Sequence, residues 1–185
     1  MTTASAPTGT TTTWIIDPAH SIVEFAVKHL MISTVKGRFA DLRGTVRYDE
    51  VNPKNSQIEI EIPTASVDTR AEQRDAHLRS PDFFDVERYP LMTFRSTRID
   101  GDPAGEFKLV GDLTIKDVTR EVTLNGEFQG RGGDPWGGER MGFEVSGKIN
   151  RKDFGLHWNQ ALDSGGWVLG DDIKMTIEVE LVKQK

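Results

Sequence analysis

Asp17, His20 and Ser21 hold the side-chain types of a nucleophilic triad within five residues of chain. A triad, however, is assembled by the fold from distant segments, and the G-x-S-x-G elbow that exposes a nucleophilic serine is missing. Acyl transfer is therefore the weakest of the readings open to the chain. The four histidines, His20, His29, His77 and His157, are scattered and never spaced H-x-x-x-H, so they form no metal-ligand motif. With no cysteine, thiolate catalysis, disulfides and cysteine metal sites are excluded. Arg74, Asp75 and His77 lie on one short helix-forming stretch, either as a solvated face or as polar groups at a binding-site mouth. Arg151 and Asp153 are expected to pair locally. No catalytic residue, metal or cofactor is expected from these residues.

The elements that must carry such residues are strands. Side chains alternate between the two faces of a strand, so a half-buried strand reads apolar at every second position. Ile173, Met175, Ile177, Val179 and Leu181 alternate with Lys174, Thr176, Glu178 and Glu180. The same alternation marks 23–28, 57–62, 107–116, 122–128 and 141–149, and the stretches 35–49 and 91–100 complete eight expected strands. The apolar phase slips between Phe39 and Leu42, which predicts a bulge or bend near Ala40 and Asp41. Turn residues separate the strands at Asn52–Asn55, Gly101–Pro103 and Gly130–Pro135, and the Lys116-Asp117-Val118-Thr119 link is short enough for a hairpin. Thr69–Arg79 reads as the single short helix, with Thr69 and Glu72 as a capping box, and Pro81–Pro90 as a further helical turn. Arg151–Gly170 is irregular and carries Trp158 and Trp167, as core caps or as a contact between copies. Residues 1–13 read as a disordered tail, and 14–185 as one domain.

Eight antiparallel strands with one apolar face either stack as two sheets or close into a barrel, and a barrel of that size either fills itself or holds one small ligand. Gly111, Gly126 and Gly147 fall on the apolar parity of three consecutive strands. Either they are bend points, or their missing side chains leave one wall bare and help to create a long apolar cavity. The expected lining is Phe25, Val27, His29, Phe39, Ile60, Ile62, Phe83, Phe84, Met92, Phe94, Gly111, Leu113, Gly126, Phe143, Val145, Gly147, Trp158, Met175 and Ile177. His29 is included on parity, as a head-group contact or as a hydrogen-bonded structural histidine.

The net charge of −6, from 23 basic and 29 acidic residues without a basic stripe, gives no reason to expect a nucleic-acid partner or tight docking on anionic membranes. No run of ~18 apolar residues could span a bilayer as a helix. Met1–Thr13 lacks the charged and apolar regions of a secretory signal, so a cytoplasmic protein is expected.

From Trp14 to Lys185 the chain resembles the YceI-like family. The resemblance is carried by Trp14-x-x-Asp17-x-x-His20-Ser21-x-x-x-Phe25-x-Val27-x-His29, Gly37-x-Phe39, Ala65-Ser66-Val67-x-Thr69 and Arg74-Asp75-x-His77-Leu78-x-Ser80-x-Asp82-Phe83-Phe84-Asp85. Tyr89-Pro90-x-Met92-x-Phe94, Gly111-Asp112-Leu113-Thr114-Ile115-Lys116, Asn150-Arg151-x-Asp153-Phe154-Gly155-Leu156 and Gly170-Asp171-x-Ile173 continue it. It implies an all-β, eight-stranded antiparallel, lipocalin-like barrel with one short helix, usually a homodimer. It also implies non-enzymatic binding, transport or storage of a polyisoprenoid, an isoprenoid quinone, a fatty-acid-like lipid or another long-chain amphiphile in an apolar tunnel. A closed barrel serving only as an interaction or dimerisation module is the rival expectation, and a hydrolase of a small hydrophobic substrate the third.

Overall fold

A computed structural model describes residues 10–185. The strands are β1 (Thr11–Ile16), β2 (Ile22–His29), β3 (Ser33–Phe39), β4 (Arg43–Asp49), β5 (Gln57–Pro63), β6 (Val67–Asp68), β7 (Leu91–Gly101), β8 (Glu106–Ile115), β9 (Val118–Gly133), β10 (Glu139–Asn150) and β11 (Leu169–Lys183), with one α-helix, α1 (Glu72–Arg79). All pairings are antiparallel, in the order β1-β4-β5-β7-β8-β9-β10-β11, and β1 pairs again with β11 to close the ring.

The expected eight-stranded barrel is therefore present, with two of its staves broken. β1 and β2 lie in succession along one edge of β11, which pairs with β1 through Leu181–Lys183 and with β2 through Ile173–Glu178. The interruption is a single 3-10 turn, Pro18–His20, started by the Asp17 side chain accepting from the Ala19 amide. The second break falls at Ala40–Leu42, where the phase slip predicts it; Leu42 turns inward and is almost fully buried. β3 keeps β2 as a neighbour on one side. On the other it meets β6 alone, through Arg38 and Phe39. The upper wall between β3 and β7 is thus filled by residues 64–90 rather than by a strand ladder. That segment is tied at its ends by the Thr64 amide to Pro90 O (2.9 Å) and by the Ala40 amide to Ser66 O (2.9 Å).

Several local expectations need correction. Thr11–Thr13 belong to β1, paired with Asp49–Arg47, and are not tail; residues 1–9 of the expected tail lie outside the described residues. β9 runs on to Gly133, so its turn is 134–138, organised by the Asp134 carboxylate accepting the Trp136 and Gly138 amides. The α1 N-cap is Ala71, without a side-chain cap. Asp75, not Glu72, reaches back, and accepts from both the amide (2.9 Å) and the hydroxyl (2.5 Å) of Thr69. Pro81–Pro90 forms successive hydrogen-bonded turns and no helix. The hairpin expected over Lys116–Thr119 is present but tighter: Val118 and Thr119 already belong to β9, and only Lys116 and Asp117 turn, with Lys116 in the left-handed region.

The lower end, where β1 begins and β11 ends, is closed by Trp14, fully buried with its indole N–H on Thr12 Oγ1 (2.9 Å). Arg131 lies 5.1 Å over the Trp14 ring, joins Glu50 (2.9 Å) and also pairs with Glu139; Lys183 joins Glu139 at 3.1 Å. The cations cover an aromatic face and are themselves neutralised, which seals this end without burying a bare charge.

Candidate functional site

The barrel interior is not solid. An upper cavity of about 180 Å³ lies beneath α1 and the 81–90 turns, and no polar atom of the described residues faces it. A lower cavity of about 80 Å³ adjoins it, between Tyr48, Phe107, Phe143 and Leu181. Ile60, Leu109, Val145 and Val179 line both, so they form the waist of one elongated apolar space along the barrel axis. An empty apolar cavity of this kind stays dry, because a water inside it would find no hydrogen-bonding partner.

Of the residues expected to line it, Phe25, Val27, Phe39, Ile60, Ile62, Phe83, Phe84, Met92, Phe94, Leu113, Val145, Met175 and Ile177 face the upper cavity, and Phe143 the lower. Five do not line either. His29 sits at the rim, where regular pairing with β11 gives way beyond Ile173, and its carbonyl accepts from Ile32 and Ser33. Trp158 stands behind Phe83, with ring centroids 5.5 Å apart. Gly111, Gly126 and Gly147 leave no bare wall, because a neighbour's side chain fills each gap. A Cβ at Gly111 would lie 2.4 Å from the Phe94 ring, one at Gly126 2.2 Å from the Phe107 ring, and one at Gly147 2.5 Å from Leu124 Cδ2. Gly37 seats Phe25 in the same way, at 2.4 Å. The glycines therefore let large side chains lie along the wall instead of across the lumen.

Several lining residues escaped the sequence reading. Leu109, Leu124, Ile173 and Val179 share the strand parity already read and could have been included. Leu42, Leu78 and Leu156 stand outside regular strands, where parity carries no signal.

The upper end is a lid of aromatic and backbone contacts. His77 lies edge-on to Phe83 (5.1 Å) and Trp158 (4.7 Å), and its Nε2 meets Asp82 Oδ2 at 2.8 Å. Phe84 closes on Phe39 (5.6 Å). Arg74 donates to Thr69, and Arg79 to the carbonyls of Ala65 (3.0 Å) and Val67 (2.9 Å), so these arginines tie α1 to the 65–69 stretch that carries β6. Arg151, 2% exposed, holds the other side. Its guanidinium donates to Gly170 O (2.8 Å), Leu156 O (2.6 Å) and Trp158 O (2.8 Å), while its stem lines the cavity. The expected pair with Asp153 is not formed; the nearest carboxylate is Asp171, at 3.8 Å. Burial lowers the Arg151 pKa, opposed by Asp171.

Asp17 and His20 meet, but Ser21 does not join them, so no triad forms. Asp17 Oδ2 and His20 Nδ1 are 2.8 Å apart, whereas Ser21 Oγ accepts the Glu180 amide at 3.0 Å. The His20 hydrogen bond and the Arg140 guanidinium hold the Asp17 carboxyl down to about 2. Asp17, His20 and Glu180 are also the one cluster among the described residues with metal-ligating reach. Arg140 Nη1 already bridges the two carboxylates, at 2.7 and 2.8 Å, so a fixed guanidinium neutralises them.

Comparison with known proteins agrees with this architecture. The YceI-like domain family matches residues 14–181. Protein YceI of Escherichia coli O157:H7 is 43% identical over 168 residues, covering 90% of this chain and 83% of that protein. The crystal structure of the Campylobacter jejuni YCEI protein superposes with a TM-score of 0.74 at 35% identity, over 85% of this chain and 90% of that one. A polyisoprenoid binding domain from Saccharophagus degradans shares the fold, with a TM-score of 0.68 at 16% identity over 92% of this chain and 98% of that one. On the span of the family match and the identity to its relatives, this chain belongs to the YceI-like family.

Proposed function

We propose that the protein binds a long-chain isoprenoid, or another long amphiphilic lipid, in the barrel interior without converting it chemically. The observation that carries this reading is the elongated cavity, divided only by an apolar waist and faced in its larger part by no polar atom. A hydrocarbon guest there gains ~0.8 kcal/mol per buried CH₂ before the costs of association. With no hydrogen-bonding group inside, selection rests on length and girth, and the polar head stays at the lid or beyond it. The likeness in fold to a polyisoprenoid binding domain supports the guest class. A quinone-type head, a carrying role and a homodimeric state are finer parts of the same proposal.

Native mass spectrometry of the freshly purified protein tests it. The expected result is a bound species released at high collision energy and identified by extraction as a prenyl or acyl lipid, with uptake of added solanesol (a nonaprenyl alcohol) by stripped protein. Stripped protein that takes up neither solanesol nor a long-chain fatty acid would overturn it.

A further inference from the structure

The turn between β2 and β3 is built against its own backbone preference. Leu30 (φ 53°) and Met31 (φ 61°) both occupy the left-handed region. A tight turn with two successive left-handed residues normally places Asn and Gly there, and an L side chain costs roughly 1–2 kcal/mol at each such position. This turn instead presents Leu30, Met31 and Ile32, with Met31 68% and Ile32 83% exposed. Trp167, 54% exposed, stands on the loop alongside. The two segments touch: the Leu30 amide donates to Val168 O at 2.8 Å, and a Cβ at Gly166 would lie 2.6 Å from Met31 Sδ. The result is one convex apolar patch on the lid end of the barrel, a residue away from Leu169, which lines the cavity.

We infer that this patch is the surface by which the protein seats on a lipid bilayer, with the lid end facing the membrane. The reading rests on the proposed lipid binding. The four side chains expose on the order of 500 Å², below the ~800 Å² that each partner of a standard protein interface buries. A narrow tip suits insertion between head groups better than burial against a second copy. Trp and long aliphatic side chains are the residues that favour the interfacial zone of a bilayer. The charges behind the tip on the hairpin are Lys28 and Lys36, both exposed, which face lipid phosphates favourably; the facing loop 157–168 adds one carboxylate, Asp163. Guest and surface thus meet at the same end of the molecule.

Flotation of the full chain with phosphatidylcholine vesicles tests this, using M31S/I32S and, as a matched control at the opposite end, V51S/W136S, whose two residues are equally exposed. Wild type and the control are expected to float alike, and M31S/I32S to lose about tenfold or more of its partitioning. Transfer of solanesol from vesicles should slow in proportion, with the amount held at equilibrium unchanged. Wild type that stays with the soluble fraction, equal loss in both variants, or light scattering showing that M31S/I32S only dissociates a dimer would each overturn the inference. Wild type that floats through this tip yet takes up no solanesol would leave the docking surface standing and remove the lipid-binding reading.

Discussion

Replacing Gly126 by alanine adds one methyl group and should shorten the longest guest the barrel accepts. The new Cβ would lie 2.2 Å from Cε2 and Cζ of Phe107. To recover ordinary carbon–carbon contact of ~3.5–4 Å, the ring must retreat by about 1.5 Å. The wall is behind the glycine, so the ring moves toward the lumen of the lower cavity, which it lines and which holds about 80 Å³. Overpacking of this kind costs about 1–3 kcal/mol of stability. A tail that reaches through the waist loses room for roughly one isoprene unit. At ~0.3 kcal/mol per heavy atom, five carbons amount to about 1.5 kcal/mol, or about tenfold in Kd. Competition against a fluorescent prenyl probe should show the loss for solanesol and little change for farnesol, whose chain is a third as long. Adding Phe107→Leu should restore solanesol binding, because the smaller side chain clears the methyl. Equal losses for the two alcohols, or no rescue, would refute the idea that glycine seats set the depth of the site.

Arg151→Met keeps the stem against the cavity but leaves the carbonyls of Leu156, Trp158 and Gly170 without their donor, and urea unfolding should report a loss of about 3–5 kcal/mol. Trp158→Ala removes the ring behind Phe83 and His77; solanesol release should quicken by about tenfold, at a stability cost of about 2 kcal/mol. Asp17 is depressed in the folded state to about 2, so its contribution is whole above the unfolded value of ~3.9 and fades as pH falls from about 4 toward 2. Asp17→Asn should lower stability at neutral pH by on the order of 1 kcal/mol and flatten that acid slope in a chemical-denaturation series. His20 is raised by the same partner, so its share is complete below its usual 6.5 and lost as pH rises through the higher folded value.

Strand parity reveals most of the barrel and most of its lining because each strand buries one face only. It failed where the determinant is not alternation. Thr11–Thr13 look like linker, yet threonine is β-branched and Thr12 finds both the Trp14 indole and Glu50 as partners, so the segment pairs as a strand. Parity puts the glycines on the correct face, but what fills the space beside a glycine belongs to the neighbouring strand, and only the register puts Phe107 opposite Gly126. Leu78, Phe83 and Phe84 come from the helical insert; the aromatics were visible as a pair, whereas Leu78 had no pattern to mark it. Local sequence points Arg151 at Asp153, whereas its acceptors are carbonyls of an irregular loop whose path no local rule describes.

The gap between β3 and β7, stopped by residues 64–90 instead of a ladder, divides the molecule mechanically. Below it, every stave pairs with two others around a complete circumference, so detaching a whole strand there breaks the ring. Above it, a plug of turns can swing while that ring stays intact. Such a protein has a stiff cup and a soft collar: deuterium would reach the collar's amides long before those of the cup, whose fixed girth sets which guests can pass the waist.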